Sequence, residues 1–252
     1  MLAIRRIAKS CVVFALGRES RPRTIVRGLA SGYKICVSPA ENLGCLLGTD
    51  EPHLQRAIRK YVATGDAVYD IGANMGYVSL SLAKRVGPSG HVFAFEPVPR
   101  NLDLLRTNIE NNRLLNIQVF DVAASDRRGE TVIRCSDNLS MASLIWHRND
   151  PSSVELIVNT VAIDDLVEAG DLPKPKFVKV DVEGAEGLVL LGMRRTVADA
   201  KPVLFIETTD AGRETTWQIL CDLGYRCQAA ITGKWISVFD EYRHSDFLWL
   251  PS

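Results

Sequence analysis

The chain has 252 residues, 46% of them apolar, which is enough for one large α/β domain with a substantial buried core. Lys+Arg and Asp+Glu both number 30, so no global field favours nucleic acid or an anionic membrane as partner. No apolar run approaches the eighteen or so residues of a membrane span, which argues against stable membrane insertion.

The first 47 residues read as a separate basic segment of helix and short strands. Residues 1–34 hold eight Lys or Arg against Glu19 alone. Ile4, Ile7, Cys11 and Phe14 recur at helical spacing opposite Arg5, Arg6 and Lys9, the pattern of an amphipathic helix packed on the domain. The six cysteines show neither CxxC pairs nor metal-ligand spacing, as expected of thiols in a reducing, cytoplasmic compartment.

From residue 48 onward strand and helix patterns alternate to the C-terminus, which defines the second unit, 48–252. Helix 51–62 is followed by strand Ala67–Ile71, glycine turn Gly72–Gly76 and helix 77–86. Strand 91–96, helix 100–112 and strand 117–122 come next. Strand 177–181, a helix over 185–198, strand 203–207, helix 214–223 and final strand-like runs near 226–230, 234–239 and 247–250 complete the pattern. Such alternation predicts a doubly wound, Rossmann-like, mainly parallel sheet of seven strands, covered on both faces. Residues 127–165 interrupt it as a β insert between the third and fourth strands, a candidate lid or substrate wall carrying Trp146 and His147.

Ligands in such sheets sit at the carboxyl ends of the strands, beside the switch in strand order. Five acids end strands there: Asp70, Glu96, Asp121, Asp181 and Glu207. A core strand does not need a carboxylate at its tip, so their recurrence marks a site. The turn Asp70-Ile-Gly72-Ala-Asn74-Met-Gly76, with Glu96 twenty residues beyond Gly76, fits an NAD or an adenosine cofactor. Two details favour the latter. The middle glycine that makes room for a pyrophosphate is missing, and Asp70 would repel that group but welcome an ammonium.

The runs VYDIGANMGYVSLSLA, VFAFEPVPRNLDLLRTNIENN and VKVDVEGAEGLVLLG, with GTDEP before them and PVLFIE after, closely resemble the FkbM family of methyltransferases. The resemblance covers about residues 48–250. It implies a class I methyltransferase fold with a final antiparallel hairpin, S-adenosylmethionine as cofactor, and O-methylation of a small hydroxylated molecule such as a sugar or secondary metabolite. By position it places Asp70, Gly72, Asn74 and Gly76 around the methionine half. It puts Glu96 on the ribose with Pro97 and Asn101 shaping that loop, and Asp121 or Ala123 near the adenine.

Asp181, at the fourth strand end, is the candidate base or orienting group for the acceptor hydroxyl, with Glu183 beside it. Lys179 shares the strand face of Asp181 and offers a way to lower the pKa of a phenolic acceptor. Glu186 reads as a first-turn helix carboxylate. No metal is assigned. Alternatives left open by the sequence are an N-methyltransferase and an NAD(P)-dependent oxidoreductase, and a homo-oligomer is compatible with either.

Overall fold

The computed structural model describes residues 19–135, 142–143, 154–238 and 245–252. The amphipathic N-terminal stretch around Ile4 and the Trp146–His147 part of the insert lie outside them. The chain opens with an antiparallel pair, β1 (Arg21–Thr24) and β2 (Lys34–Val37), and a short helix α1 (Leu43–Leu47). These are not an appendage: Ile25, Ile35, Val37 and Leu46 share one buried cluster with Tyr77 and Leu80. The core therefore continues across residue 48.

Helix α2 (Pro52–Tyr61) leads to β3 (Ala67–Ile71), whose AVYDI run is buried on both faces, as a central parallel strand requires. Helix α3 (Tyr77–Val86) starts beyond Gly76 and ends at Gly87, with Lys84 and Arg85 in its last turn, where cations suit the negative end of the helix dipole. Then come β4 (His91–Phe95), α4 (Pro99–Asn111) and β5 (Ile117–Phe120). The insert follows as β6 (Ala123–Ala124), β7 (Gly129–Cys135), β8 (Ala142–Ser143) and β9 (Val154–Val161). Helix α5 (Ile163–Glu168) returns the chain to β10 (Phe177–Val180). The single helix expected over 185–198 is two, α6 (Glu186–Gly192) and α7 (Arg194–Ala200), divided at the buried Met193. Strand β11 (Val203–Glu207), α8 (Asp210–Asp222), β12 (Tyr225–Ala229), β13 (Trp235–Ile236) and β14 (Asp246–Pro251) complete the domain.

The main sheet runs β13-β12-β14-β11-β10-β3-β4-β5. Strands β11, β10, β3, β4 and β5 are parallel neighbours, and β14 lies antiparallel between β11 and β12. This is the doubly wound, Rossmann-like class, with the final antiparallel hairpin that the family resemblance implies. The sheet has eight strands rather than seven. The turn at Gly233 lets Trp235 and Ile236 fold back on β12 as a two-residue edge. The insert is a separate four-stranded sheet, β6-β9-β7-β8, seated on the domain through Ile133, Cys135 and Val158 against Val98. Among the described residues no helix is long and apolar enough to cross a membrane.

Strand order reverses between β3 and β10, so the carboxyl ends of these two strands diverge into a crevice.

Candidate active site

The crevice is open to solvent, with about 760 Å³ of empty space counted out into its mouth. Its floor is Ile71, Gly72 and Asn74 after β3; one wall is Phe95, Glu96, Pro97, Val98 and Asn101 after β4. Val122, Ala123, Ala124 and Ile133 of the insert form a second wall, and Asp181, Val182, Glu183 and Ala185 close the end beyond β10. Eight of the twelve expected site residues thus line one cavity. The described part of the insert contributes a wall through Ile133.

The turn is built by local necessity. Gly72 has φ +80°, and a Cβ there would lie 1.8 Å from the main-chain oxygen of Asp181, so only glycine lets the β3 and β10 ends meet. Every amide of the turn already has an acceptor within the chain. Gly72 and Ala73 donate to Phe95 O (3.0 and 2.9 Å), Asn74 to Glu96 Oε2 (2.8 Å), Met75 to Asn74 Oδ1 (2.8 Å) and Gly76 to Ala73 O (2.9 Å). Open helix-start N–H groups, the usual cradle for phosphate, are therefore not offered by this turn.

Glu96 is buried and serves as a staple. Its Oε1 accepts from Val98 N (2.9 Å) and Asn101 Nδ2 (3.3 Å), and its Oε2 from Asn74 N. Burial pushes its pKa up, against the pull of those donors. Glu96 therefore ties the walls on either side of it. A carboxylate has about four acceptor positions, so three bonds leave room for a ligand hydroxyl.

Four assignments change. Asp70 is fully buried, its Oδ2 held by Ser79 Oγ at 2.5 Å and its Oδ1 3.5 Å from Lys179 Nζ. It faces the protein interior and does not line the cavity. Lys179 is buried too, donating to Gly72 O at 2.7 Å and pairing with Asp181 Oδ2 at 3.2 Å. Burial alone would lower its pKa, but Asp181 and Asp70 more than compensate and hold it above the ordinary lysine value. It lies behind the cavity lining, tied to Gly72 O and Asp181, and does not line the cavity itself. Gly76 packs on Leu105, whose Cδ1 lies 2.5 Å from where a Cβ would sit, so it shapes the turn without lining the cavity. Asp121 is exposed, paired with Arg106 at 3.4 Å, and does not line the cavity.

Glu186 is the helix-start carboxylate expected, with Oε1 accepting Gly184 N at 2.8 Å. Glu183 lies at φ +51°, its pKa raised by burial and then by Asp181 and Glu186. Among the described residues no trio of His, Cys, Asp or Glu is arranged to hold a metal. One rim residue was not among the expected site residues, although it stands in the GTDEP run. Glu51 lies at φ +49° just before α2, and its pKa is pushed up to about 7 by burial and by the Asp181 carboxylate.

The methyltransferase FkbM domain matches residues 70–227, more than half of the chain. The chain belongs to this family. The matched stretch runs from Asp70, just before the floor of the crevice, into β12, and so takes in both walls and the Asp181 end. A hexuronic acid methyltransferase of Haloferax volcanii is 30% identical over 165 residues, covering 61% of either chain. A 2-O-methyltransferase of Sinorhizobium fredii is 30% identical over 164 residues, 57% of this chain and 63% of that one. A solved methyltransferase FkbM from Methylobacillus flagellatus superposes with a TM-score of 0.48 at 18% identity, over 98% of this chain and 59% of that one. The chain thus spans about three fifths of the length of the relatives it matches.

Proposed function

We propose that this FkbM-family protein transfers a methyl group from S-adenosylmethionine to a hydroxyl of a small molecule, a sugar or a secondary metabolite. The observation that carries the reading is the charge of the crevice. Among the described residues its lining holds three carboxylates, Glu96, Asp181 and Glu183, and no Lys, Arg or His. A cofactor bearing sulfonium and ammonium charges suits such a lining, whereas a pyrophosphate would meet repulsion and a turn with no amide to give. The nicotinamide alternative is therefore disfavoured.

The residues fit the cofactor. Glu96 accepts a ribose hydroxyl, Pro97 and Asn101 hold that loop, and Phe95, Val122, Ala123 and Ile133 give an apolar slot for a purine. The methionine end lies over Gly72 and Asn74. Bound there, S-adenosylmethionine supplies an electrophilic methyl group. Asp181, held by Lys179 through Oδ2, orients the acceptor hydroxyl with its remaining oxygen, with Glu183 beside it. Holding the two reactants in line lowers the barrier, and the apolar wall keeps water out.

The names of the two relatives, one acting on a hexuronic acid and one a 2-O-methyltransferase, support an oxygen acceptor on a sugar. The described cysteines are all unpaired, which supports a reducing, cytoplasmic setting. Titration calorimetry tests the cofactor reading. S-adenosylhomocysteine should bind with micromolar affinity and NAD(H) should give no heat. The opposite pattern would end the methyltransferase reading.

A further inference from the structure

Beyond Asp181 the rim continues past the cofactor crevice, and what lines it comes from three other elements. The parallel pairing of β10 with β11 sets Val180 opposite Ile206, so the next residues, Asp181 and Glu207, end adjacent strands side by side. Antiparallel pairing of β11 with β14 then sets Asp246 opposite Glu207. The fourth carboxylate, Glu51, comes from outside the stretch that the family domain matches.

Its position is built. Gln55 Nε2 donates to Asp50 O (2.7 Å), to Gly48 O (3.3 Å) and to Tyr77 Oη (3.1 Å), and Gln55 N donates to Glu51 O (2.8 Å). Tyr77 directly follows the glycine turn, so this tie fastens the start of α2 to the carboxyl edge of the sheet. Leu54 and Ile58 of α2 pack with Phe205 of β11, which fixes the helix over the same edge. Glu51 is then held in a left-handed backbone conformation that non-glycine residues adopt at a cost of roughly 1–3 kcal/mol, a cost the surrounding contacts must outweigh.

We propose that Glu207 is the proton acceptor for the hydroxyl being methylated, and that Glu51 faces it as a second carboxylate on the acceptor side of Asp181. This rests on the methyltransferase reading and extends it to the half of the site that the cofactor leaves open. As a lone pair of the acceptor oxygen forms the new O–C bond, the S–C bond breaks with its electron pair onto sulfur. The hydroxyl proton passes to a carboxylate oxygen of Glu207 and leaves later to solvent. The surroundings suit that task. Glu207 is pushed up to about 8 by burial, then by Asp181, Asp246, Glu51 and Glu183, so it holds a proton near neutral pH better than an exposed carboxylate does. Asp181 has one oxygen committed to Lys179 and Asp246 accepts from Ser245 Oγ at 2.9 Å, so Glu207 and Glu51 are the rim carboxylates nearest Asp181 in the fold that carry neither of these ties.

The same arrangement fixes a preference among acceptors. A hydroxyl on a neutral or cationic molecule enters this rim more easily than one on an anion, which meets four carboxylates.

The test needs no known acceptor. Sinefungin carries an amine where S-adenosylmethionine carries the transferred methyl, and S-adenosylhomocysteine carries nothing there. The ratio of their affinities therefore reads the negative charge at the transfer point. Calorimetry at pH 8.5 on the full chain should give tighter binding of sinefungin. Glu51→Gln and Glu207→Gln should each lower that ratio by about three- to tenfold, as loss of one nearby charge does, with S-adenosylhomocysteine affinity within twofold of wild type. An unchanged ratio in both variants overturns the proposal and leaves the cofactor reading standing. Failure of wild type to bind S-adenosylhomocysteine removes the reading and the proposal together. If Glu207→Gln does not fold, Glu51→Gln gives the same readout. Wherever a panel of neutral sugars and phenols reveals turnover, Glu207→Gln should lower kcat about 100-fold or more.

Discussion

Gly72 and Asp181 meet backbone to backbone: the side-chain carbon that glycine lacks would stand 1.8 Å from the carbonyl oxygen of Asp181. This contact sets the spacing between the floor of the crevice and its acceptor end. Lys179 reinforces it, with one ammonium on Gly72 O and on Asp181 Oδ2.

Gly72→Ala therefore should separate the two strand ends and strain a backbone at φ +80°. A loss of about 2–4 kcal/mol of stability is expected, from strain and overpacking together. S-adenosylhomocysteine binding should fall by far more than stability alone explains. Thermal melts and calorimetry on one preparation measure both, and a variant with native affinity would show that the two ends do not define the pocket.

Lys179→Met should be severely destabilising. It leaves Asp70, fully buried, and Asp181 without their shared cation, and breaking a buried pair costs about 3–5 kcal/mol. Adding Asp70→Asn should recover part of that loss. Urea unfolding of the two single variants and the double variant gives the coupling directly. Simple additivity would mean that the ammonium and Asp70 do not interact.

Glu96→Ala should weaken cofactor binding by about 1.5–3 kcal/mol, the range for hydrogen bonds to a charged group. It should also lower stability, because Asn74 N, Val98 N and Asn101 Nδ2 lose their acceptor. Glu96→Gln keeps part of the staple and should melt closer to wild type. Equal melting temperatures for wild type and Glu96→Ala would contradict the staple.

Stability should depend on pH through the rim. The folded-state pKa values of Glu207, about 8, and of Glu51, about 7, lie above those of unfolded glutamates. The folded chain then binds more protons, so stability falls as pH rises from the ordinary glutamate range to about 8, and levels off above it. Glu207→Gln should flatten that slope. Melting temperatures taken between pH 5 and pH 9 decide the matter, and equal slopes for variant and wild type would place Glu207 in water.

Most of the fold was legible because strand and helix alternate with clear periodicity from residue 48, and because acids stand at strand tips. The turn glycines and Glu96 were legible for the same reason. The partners of these residues were not. Asp70 looked open to a ligand, yet Ser79 and Lys179, from a helix and a neighbouring strand, enclose it. A lysine in a strand buried on both faces was the available cue, since such a group must find carboxylates. Asp121 resembled the other tip acids, but β5 is the sheet edge, and its end turns to solvent and Arg106. Glu51 stood in the GTDEP run but at no strand tip, so nothing local marked it for the site. Its place follows from tertiary ties through Gln55 and Tyr77.

The glycine turn has one more consequence. Each of its five amides is satisfied inside the chain, so folding, not the arriving ligand, finishes this surface. A ligand here meets a rigid template and loses little affinity to ordering the turn. Product departure leaves the turn standing for the next cycle. Hydrogen exchange at residues 72–76 should accordingly be slow with the crevice empty and hardly slower with it filled.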